Sequence, residues 1–162
     1  MASPSLESLL TTLATSDVEF IVVGMLAAVA QGAPVTTHDL DIVHRRTPAN
    51  IAALLDLLVN RLDARYRGRT DVLRPTEEIL AGPGHSLLKT NLGPLDVLGA
   101  IEGGRDYDSL LPKSHRIEIS GHPVFVLGLA TLIELKRSST RLKDQLVLPV
   151  LEETLRQSRE EP

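Results

Sequence analysis

The sequence predicts an α/β (α+β) fold in which helices flank a mixed β-sheet, and three observations support this prediction. Short runs rich in β-branched residues recur through residues 17–127, helical patterns lie at both ends of the chain, and 43% of the 162 residues are hydrophobic, which suffices for one ordinary core. We therefore expect the core of the domain, composed of the sheet and its helices, over about 17–127, followed by a C-terminal helical segment over about 128–157. Residues 1–162 would form one domain.

The N-terminal quarter of the chain predicts two helices and two strands in alternation. Leucines at helical spacing predict an N-terminal helix with one apolar face, formed by Leu6, Leu9, Leu10 and Leu13. Residues 19–23 are rich in β-branched side chains and predict a buried strand, which Gly24 ends. A helix of small residues is predicted over 25–31, and strict alternation predicts a strand over 39–43.

The next segment predicts a helix and then a stretch without a regular pattern. Thr47-Pro48 is typical of a helix start, because proline is tolerated in the first helical turn, and helical spacing continues to about Arg61. Glycine and proline recur over 68–84 and prevent long regular elements. We expect this stretch to be irregular and to border the functional cleft, since loops often carry binding specificity.

The second half of the chain predicts two hairpins and two C-terminal helices. Each hairpin joins two short runs across a turn that contains glycine: residues 86–90 with 95–98, and residues 116–120 with 123–127. The C-terminal helices are predicted over about 129–138 and from Arg141 onward. We expect Pro149 to split the second of them, because proline lacks the N–H of a helix interior.

Composition excludes several classes of protein. The absence of cysteine excludes disulfide scaffolds, thiolate zinc sites and cysteine catalysis. A net charge of −4 argues against a nucleic-acid coat protein, and an aromatic content of 2% argues against base-stacking platforms. The N-terminal ten residues carry no basic side chain, and no apolar run approaches the roughly 20 residues of a membrane helix. We expect a cytoplasmic protein with no membrane partner; its oligomeric state is open.

Charge is distributed unevenly along the chain. No lysine or arginine precedes Arg45, and that stretch carries five acidic residues, namely Glu7, Asp17, Glu19, Asp39 and Asp41. Four basic residues lie within eight positions near the C terminus, namely Lys136, Arg137, Arg141 and Lys143. An acidic cluster and a basic cluster that are distant in sequence suit a ligand composed of a metal ion and phosphate.

The segment Asp39-Leu40-Asp41 is the sharpest candidate for chemistry. Residues two apart in a strand project from one face about 7 Å apart, so their carboxylates repel each other unless a cation such as Mg²⁺ lies between them. Asp96 is the single carboxylate of a second apolar strand; if that strand is adjacent, three carboxylates converge, as two-metal phosphoryl transfer requires. The alternatives are a solvated edge strand for the first two aspartates and a turn-proximal surface position for Asp96.

Three motifs together resemble those of a known superfamily. Val23-Gly24-Met25, thirteen further residues and then Asp39-Leu40-Asp41-Ile42 resemble the nucleotidyltransferase signature of the DNA polymerase β superfamily. Asp96 resembles that family's third carboxylate. Residues 135–144, which end in Lys-Asp, resemble the lysine-rich helical segment of small bacterial nucleotidyltransferases, a group that includes abortive-infection type toxins.

The resemblance implies a reaction and a set of roles. The chain would transfer a nucleoside monophosphate (NMP) group from a nucleoside triphosphate (NTP) to a hydroxyl acceptor and release pyrophosphate. The acceptor is a small molecule, a tRNA or a protein. The implied catalytic residues are Asp39, Asp41 and Asp96. The same three residues would bind two Mg²⁺ ions, or Mn²⁺ in their place. The implied nucleotide- and phosphate-binding residues are Gly24, Met25, Lys136, Arg141 and Lys143.

Two departures from the family pattern support an alternative function. Met25 replaces a second glycine or serine, and Val35 stands where many relatives have an arginine. The chain could then be a non-catalytic nucleotide- or partner-binding domain on the same fold. A role in a toxin–antitoxin-like module is a further hypothesis, which concerns biology rather than chemistry.

Overall fold

The computed structural model describes residues 4–68 and 73–160, which contain a seven-stranded mixed sheet and seven α-helices. The strands are β1 (Phe20–Val23), β2 (Leu40–His44), β3 (Arg65–Tyr66), β4 (His85–Thr90), β5 (Gly93–Leu98), β6 (Ser114–Ile119) and β7 (His122–Leu127). The helices are α1 (Pro4–Ala14), α2 (Gly24–Ala30), α3 (Pro48–Asp56), α4 (Glu77–Ala81), α5 (Tyr107–Leu110), α6 (Leu129–Arg137) and α7 (Leu142–Glu160). The predicted fold class is confirmed.

The order of the strands is β3-β4-β5-β2-β1-β7-β6, which places β2 at the centre. Strand β2 pairs antiparallel with β1 on one side and parallel with β5 on the other. The sheet is mixed because β1 also pairs in parallel with β7. Among the described residues, no helix has both the length and the apolar character needed to cross a membrane.

The apolar periodicity of the sequence corresponds to the observed core. The leucine stripe of α1 is at most 3% exposed, and all four residues of β1 are buried. Helix α3 begins as predicted, since the hydroxyl of Thr47 accepts a hydrogen bond from the backbone N–H of Asn50. Its last turn, Leu57–Arg61, widens into a π-helix.

Strand β2 begins one residue later than predicted, so Asp39 precedes the strand instead of belonging to it. Its neighbours explain this. On one side β1 ends at Val23, opposite Asp41, because the chain turns away at Gly24. On the other side, Leu40 pairs with Leu95, and the preceding residue of β5 is Pro94, which has no N–H to donate. Asp39 therefore has no ladder to join.

The prediction that Pro149 would split the last helix is wrong, because α7 continues through it. Proline leaves the carbonyl four residues earlier, that of Gln145, without its helical partner. Both Gln145 and Pro149 are exposed, so water can satisfy that carbonyl. Apolar side chains on the other side of the helix, including fully buried Leu151, pack on the core and hold the helix together.

The two hairpins form as predicted, with small shifts in their limits. The β6–β7 turn is centred on Ser120 and Gly121, one residue earlier than expected, and both residues have positive φ, as a tight hairpin turn requires. The expected irregular stretch contains the short helix α4, while residues 69–72 lie outside the described residues. The rest of that stretch is irregular, as expected.

Candidate active site

Two carboxylates face each other at the centre of the sheet. Asp41 of β2 is directly in register with Asp96 of the parallel neighbour β5. Residues in register on adjacent strands project from the same face of a sheet, so the two side chains meet. Both are partly buried, and Oδ1 of Asp41 is shielded from solvent without a hydrogen-bond partner.

The surroundings of Asp41 make its negative charge costly. Burial raises the pKa of Asp41 to about 7, and the charge of Asp96, a hydrogen bond with Asp96 and the charge of Asp39 act in the same direction. The positive charge of Arg67 opposes them only in part. Near neutral pH this carboxyl group is consequently poised between its protonated and ionised forms, a state that a bound cation would shift towards the carboxylate.

Gly24 lies against Asp41 at the point where β1 gives way to α2. Its φ of +68° belongs to the left-handed region that glycine adopts without strain. A Cβ at this position would lie 2.6 Å from Oδ2 of Asp41, closer than any real contact of that kind. Gly24 thus suits the backbone turn, and a larger residue there would displace the carboxylate of Asp41 from its observed position.

Sequence reasoning missed Arg67, which forms an ion pair with Asp96. Its Nη1 lies 2.8 Å from Oδ1 of Asp96, and the same nitrogen donates a hydrogen bond to the carbonyl of Leu88 at 2.7 Å. Arg67 reaches Asp96 because it directly follows the edge strand β3, which pairs with β4. No local pattern marks it, since the contact depends on the order of three strands.

A second polar cluster connects α6 to α7. Nζ of Lys136 donates to Oδ1 of Asp144 at 2.7 Å, and the hydroxyl of Ser139 donates to Oδ2 at 2.6 Å. Asp144 is only 6% exposed. Burial by itself would raise the pKa of Asp144, but the two hydrogen bonds and the charges of Lys136 and Arg141 outweigh it and hold this pKa below its usual value.

Two cavities adjoin the carboxylate pair. The polar cavity has a volume of about 450 Å³, and its lining includes every site residue that the sequence suggested: Gly24, Met25, Asp39, Asp41, Asp96, Lys136, Arg141 and Lys143. The smaller cavity has a volume of about 260 Å³ and a mixed lining, in which apolar side chains such as Leu87, Ile101 and Leu132 lie beside charged ones such as Glu102 and Lys136. Six residues line both cavities: Gly24, Asp41, Asp96, Lys136, Arg141 and Asp144.

The convergence of three carboxylates is less complete than the sequence suggested. Asp39 is exposed in the segment before β2, although it lines the polar cavity. Within residues 4–68 and 73–160, no three His, Asp or Glu side chains are arranged as a ready-made metal site. Lys136 borders the polar cavity but already has Asp144 as its partner. The roles of all eight residues stay predictions.

Comparison with known proteins shows the fold. No protein-family model matches the chain, and no curated protein sequence matches it. A Thermotoga maritima protein described as a nucleotidyltransferase superposes with a TM-score of 0.57 at 19% identity, covering 100% of this chain and 97% of that one. The antibiotic-resistance factor ANT(2'')-Ia superposes with a TM-score of 0.58 at 15% identity, covering 93% of this chain and 82% of that one. The chain therefore has a nucleotidyltransferase-like fold.

Proposed function

We propose that this chain is a metal-dependent nucleotidyltransferase, which transfers an NMP group from an NTP to a hydroxyl acceptor and releases pyrophosphate. The observation that carries the proposal is the position of Asp41 and Asp96, which face each other and line both the polar cavity and the smaller cavity. A reaction that joins two substrates needs its reactive groups at the boundary of two binding spaces. The fold shared with two proteins described as nucleotidyltransferases agrees with this function.

The carboxylates suit Mg²⁺, or Mn²⁺ in its place. Asp41 has an oxygen without a partner, and its pKa is raised chiefly by burial and further by the charge of Asp96. An all-oxygen donor set is the one that Mg²⁺ prefers. Asp41, Asp96 and the exposed Asp39 would hold the ions, two in the arrangement we propose. When bound, the ions would neutralise charge on the phosphates and activate the attacking hydroxyl.

The polar cavity is suited to the triphosphate. Lys136, Arg141 and Lys143 supply positive charge to its lining, and Gly24 leaves the space beside Asp41 free of a side chain. Cations that are already in place stabilise the charge that moves onto the leaving phosphates. Met25 adds an apolar side chain to the lining, where a hydroxyl or a second glycine would serve the phosphates more directly.

The smaller cavity would receive the reactive end of the acceptor. Its volume of about 260 Å³ admits a small chemical group rather than a folded domain. ANT(2'')-Ia is an aminoglycoside nucleotidyltransferase, which favours a small-molecule acceptor, although the hydroxyl end of a tRNA or a protein side chain would also fit this proposal. Asp96 borders this cavity and would accept the proton of the attacking hydroxyl.

The second candidate is a nucleotide-binding domain without catalysis. Two observations favour it: the departures at Met25 and Val35, and the engagement of Lys136 by Asp144. In this case nucleotide would bind without the carboxylates taking part.

One calorimetric experiment distinguishes the two candidates. Each of the four NTPs is titrated into the protein with Mg²⁺ and with EDTA, in the wild type, in Asp41→Asn and in Asp17→Asn, whose exposed aspartate lies outside both cavities. We expect Mg²⁺-dependent binding that Asp41→Asn loses and Asp17→Asn keeps. Pyrophosphate release with acceptor pools of metabolites, tRNA or protein then identifies the acceptor class. Equal binding with EDTA and in Asp41→Asn would favour the non-catalytic domain.

A further inference from the structure

Arg67 lies at the position where a cation would be expected beside Asp96. Its Nη1 is 2.8 Å from Oδ1 of Asp96 and donates to the carbonyl of Leu88 at 2.7 Å. Its backbone N–H also donates to the carbonyl of Leu87 at 3.0 Å. One guanidinium nitrogen thus contacts both Asp96 and Leu88, and the backbone of the same residue is anchored to β4, so the position of the guanidinium follows from the pairing of β3, β4 and β5.

The charge of Arg67 is the one that the carboxylate pair needs. Asp41 and Asp96 bring two negative charges together in a partly buried space. Of the ion pairs formed within residues 4–68 and 73–160, the contact with Arg67 is the one that reaches either carboxylate. Three basic residues line the polar cavity with both carboxylates, namely Lys136, Arg141 and Lys143, but none of them pairs with either aspartate, and Lys136 pairs with Asp144 instead. Arg67 thus supplies the neutralising charge in the protein without metal.

The same oxygen cannot serve Arg67 and a metal ion fully at one time. A divalent cation that takes Oδ1 of Asp96 as a ligand would lie within a few ångströms of the guanidinium, where like charges repel strongly in a partly buried site. Either the cation displaces the guanidinium of Arg67, or the guanidinium stays and weakens the binding of the cation. The side chain of Arg67 is 36% exposed, so it has solvent into which it can move.

We propose that Arg67 is a built-in competitor for the divalent cation at Asp96, and that it holds the site closed to metal until the ion displaces it. This inference rests on the proposed function. It makes Arg67 a positioning and regulatory residue, whose removal strengthens metal binding, whereas removal of a metal ligand weakens it. A displaced guanidinium would also be free to bind phosphate through bidentate hydrogen bonds.

The test measures Mn²⁺ binding directly, from the electron paramagnetic resonance signal of the free ion, without nucleotide and without an activity assay. The variants are Arg67→Gln, which removes the charge, Arg67→Lys, which keeps it, and Arg65→Gln as the matched control. Arg65 lies two residues before Arg67, in the edge strand β3, but pairs with Asp63, away from both cavities. Thermal melts verify that each variant is folded.

We expect Arg67→Gln to bind Mn²⁺ roughly tenfold or more tightly than the wild type, since a charge-assisted contact no longer competes. The affinity of Arg67→Lys for Mn²⁺ should stay close to that of the wild type, and the affinity of Arg65→Gln should equal it. In an Asp96→Asn background, Arg67→Gln should not increase the affinity for Mn²⁺ further, because the carboxylate for which Arg67 and the ion compete has been removed.

The outcomes separate this inference from the proposed function. If the wild type binds Mn²⁺, Asp41→Asn abolishes binding and Arg67→Gln leaves affinity unchanged or lower, then the metal site stands and the competition by Arg67 is refuted. If Arg67→Lys binds as tightly as Arg67→Gln, charge is not the cause and the inference is also wrong. If no variant binds Mn²⁺, both proposals fail.

Discussion

Gly24 and Asp41 approach each other so closely that only a hydrogen atom fits between the glycine Cα and the carboxylate: a Cβ on Gly24 would lie 2.6 Å from Oδ2 of Asp41. The glycine that ends β1 therefore has two functions. It turns the chain at φ +68°, and it leaves the space in which the central carboxylate lies. The sequence motif places these two residues far apart, and the antiparallel pairing of Val23 with Asp41 brings them together.

Gly24→Ala should destabilise the protein more than the backbone conformation alone explains. Alanine at positive φ costs about 1–2 kcal/mol, and the clash with Asp41 adds to it. Gly121→Ala is the matched control, because Gly121 also has positive φ but has open space around it. Urea denaturation of both variants measures the difference. Equal losses of stability in Gly24→Ala and Gly121→Ala would show that contact with Asp41 adds nothing to the cost of the backbone conformation.

Asp41→Asn should stabilise the metal-free protein at pH 8 and leave it nearly unchanged at pH 4. The folded state raises the pKa of Asp41 from its usual 3.8 to about 7, so folding takes up a proton between these values. The stability contributed by that proton is present below pH 3.8 and is lost as the pH rises through 7. Asparagine removes this cost, which is up to about 4 kcal/mol at pH 8.

Chemical denaturation in EDTA at several pH values measures this effect. Asp17→Asn is the control, because Asp17 is exposed and lies outside both cavities. A stabilisation of Asp41→Asn that did not change between pH 4 and pH 8 would show that the charge of Asp41 is not its source.

His44 should make the protein less stable as the pH falls below about 6.5. Its ring is 1% exposed and its Nε2 lies 2.7 Å from the carbonyl of Leu80; burial lowers the pKa of His44 below its usual 6.5. Between the lowered value and 6.5 the unfolded chain binds the proton and the folded chain does not, so stability rises with pH. The free energy of unfolding of the wild type should therefore exceed that of His44→Gln by more at pH 7.5 than at pH 5. Parallel stability curves for the two proteins would refute this.

Asp144→Asn should weaken both the C-terminal packing and the binding of nucleotide. The variant loses the buried ion pair with Lys136 and weakens the hydrogen bond from Ser139, at a cost of about 1–3 kcal/mol. It also releases Lys136 from the edge of the polar cavity. Glu152→Gln is the matched control, since its pair with Arg137 joins the same two helices at an exposed position. Thermal melts and NTP titrations measure the two effects, and equal behaviour of the two variants would contradict the prediction.

Local patterns predicted most elements because those elements depend on their own side chains. The leucine stripe of α1, the cap at Thr47 and the two hairpins follow from spacing and turn residues, and the structure confirms them. The resemblance to nucleotidyltransferases correctly indicated the fold. It also suggested eight residues that now line one cavity, although their chemical roles stay predictions.

The features that sequence reasoning missed depend on neighbours in space. The start of β2 is fixed by the turn at Gly24 and by Pro94 of the adjacent strand, so alternation alone placed Asp39 wrongly. Pro149 is tolerated because its side of α7 faces solvent. Arg67 reaches Asp96 across the edge of the sheet, a contact that nothing near residue 67 indicates.

The position of β1 between β2 and β7 has a consequence for synthesis of the chain. Ile21 pairs with Phe125 and Val22 with Val126, so β1 acquires its second neighbour only after most of the chain has left the ribosome. Until then, a strand whose four residues are all buried in the finished fold presents an unpaired edge, which favours association with other chains. Nascent chains that end before residue 122 should therefore aggregate readily and depend on chaperones, and the candidate site cannot be completed until the last third of the protein has been made.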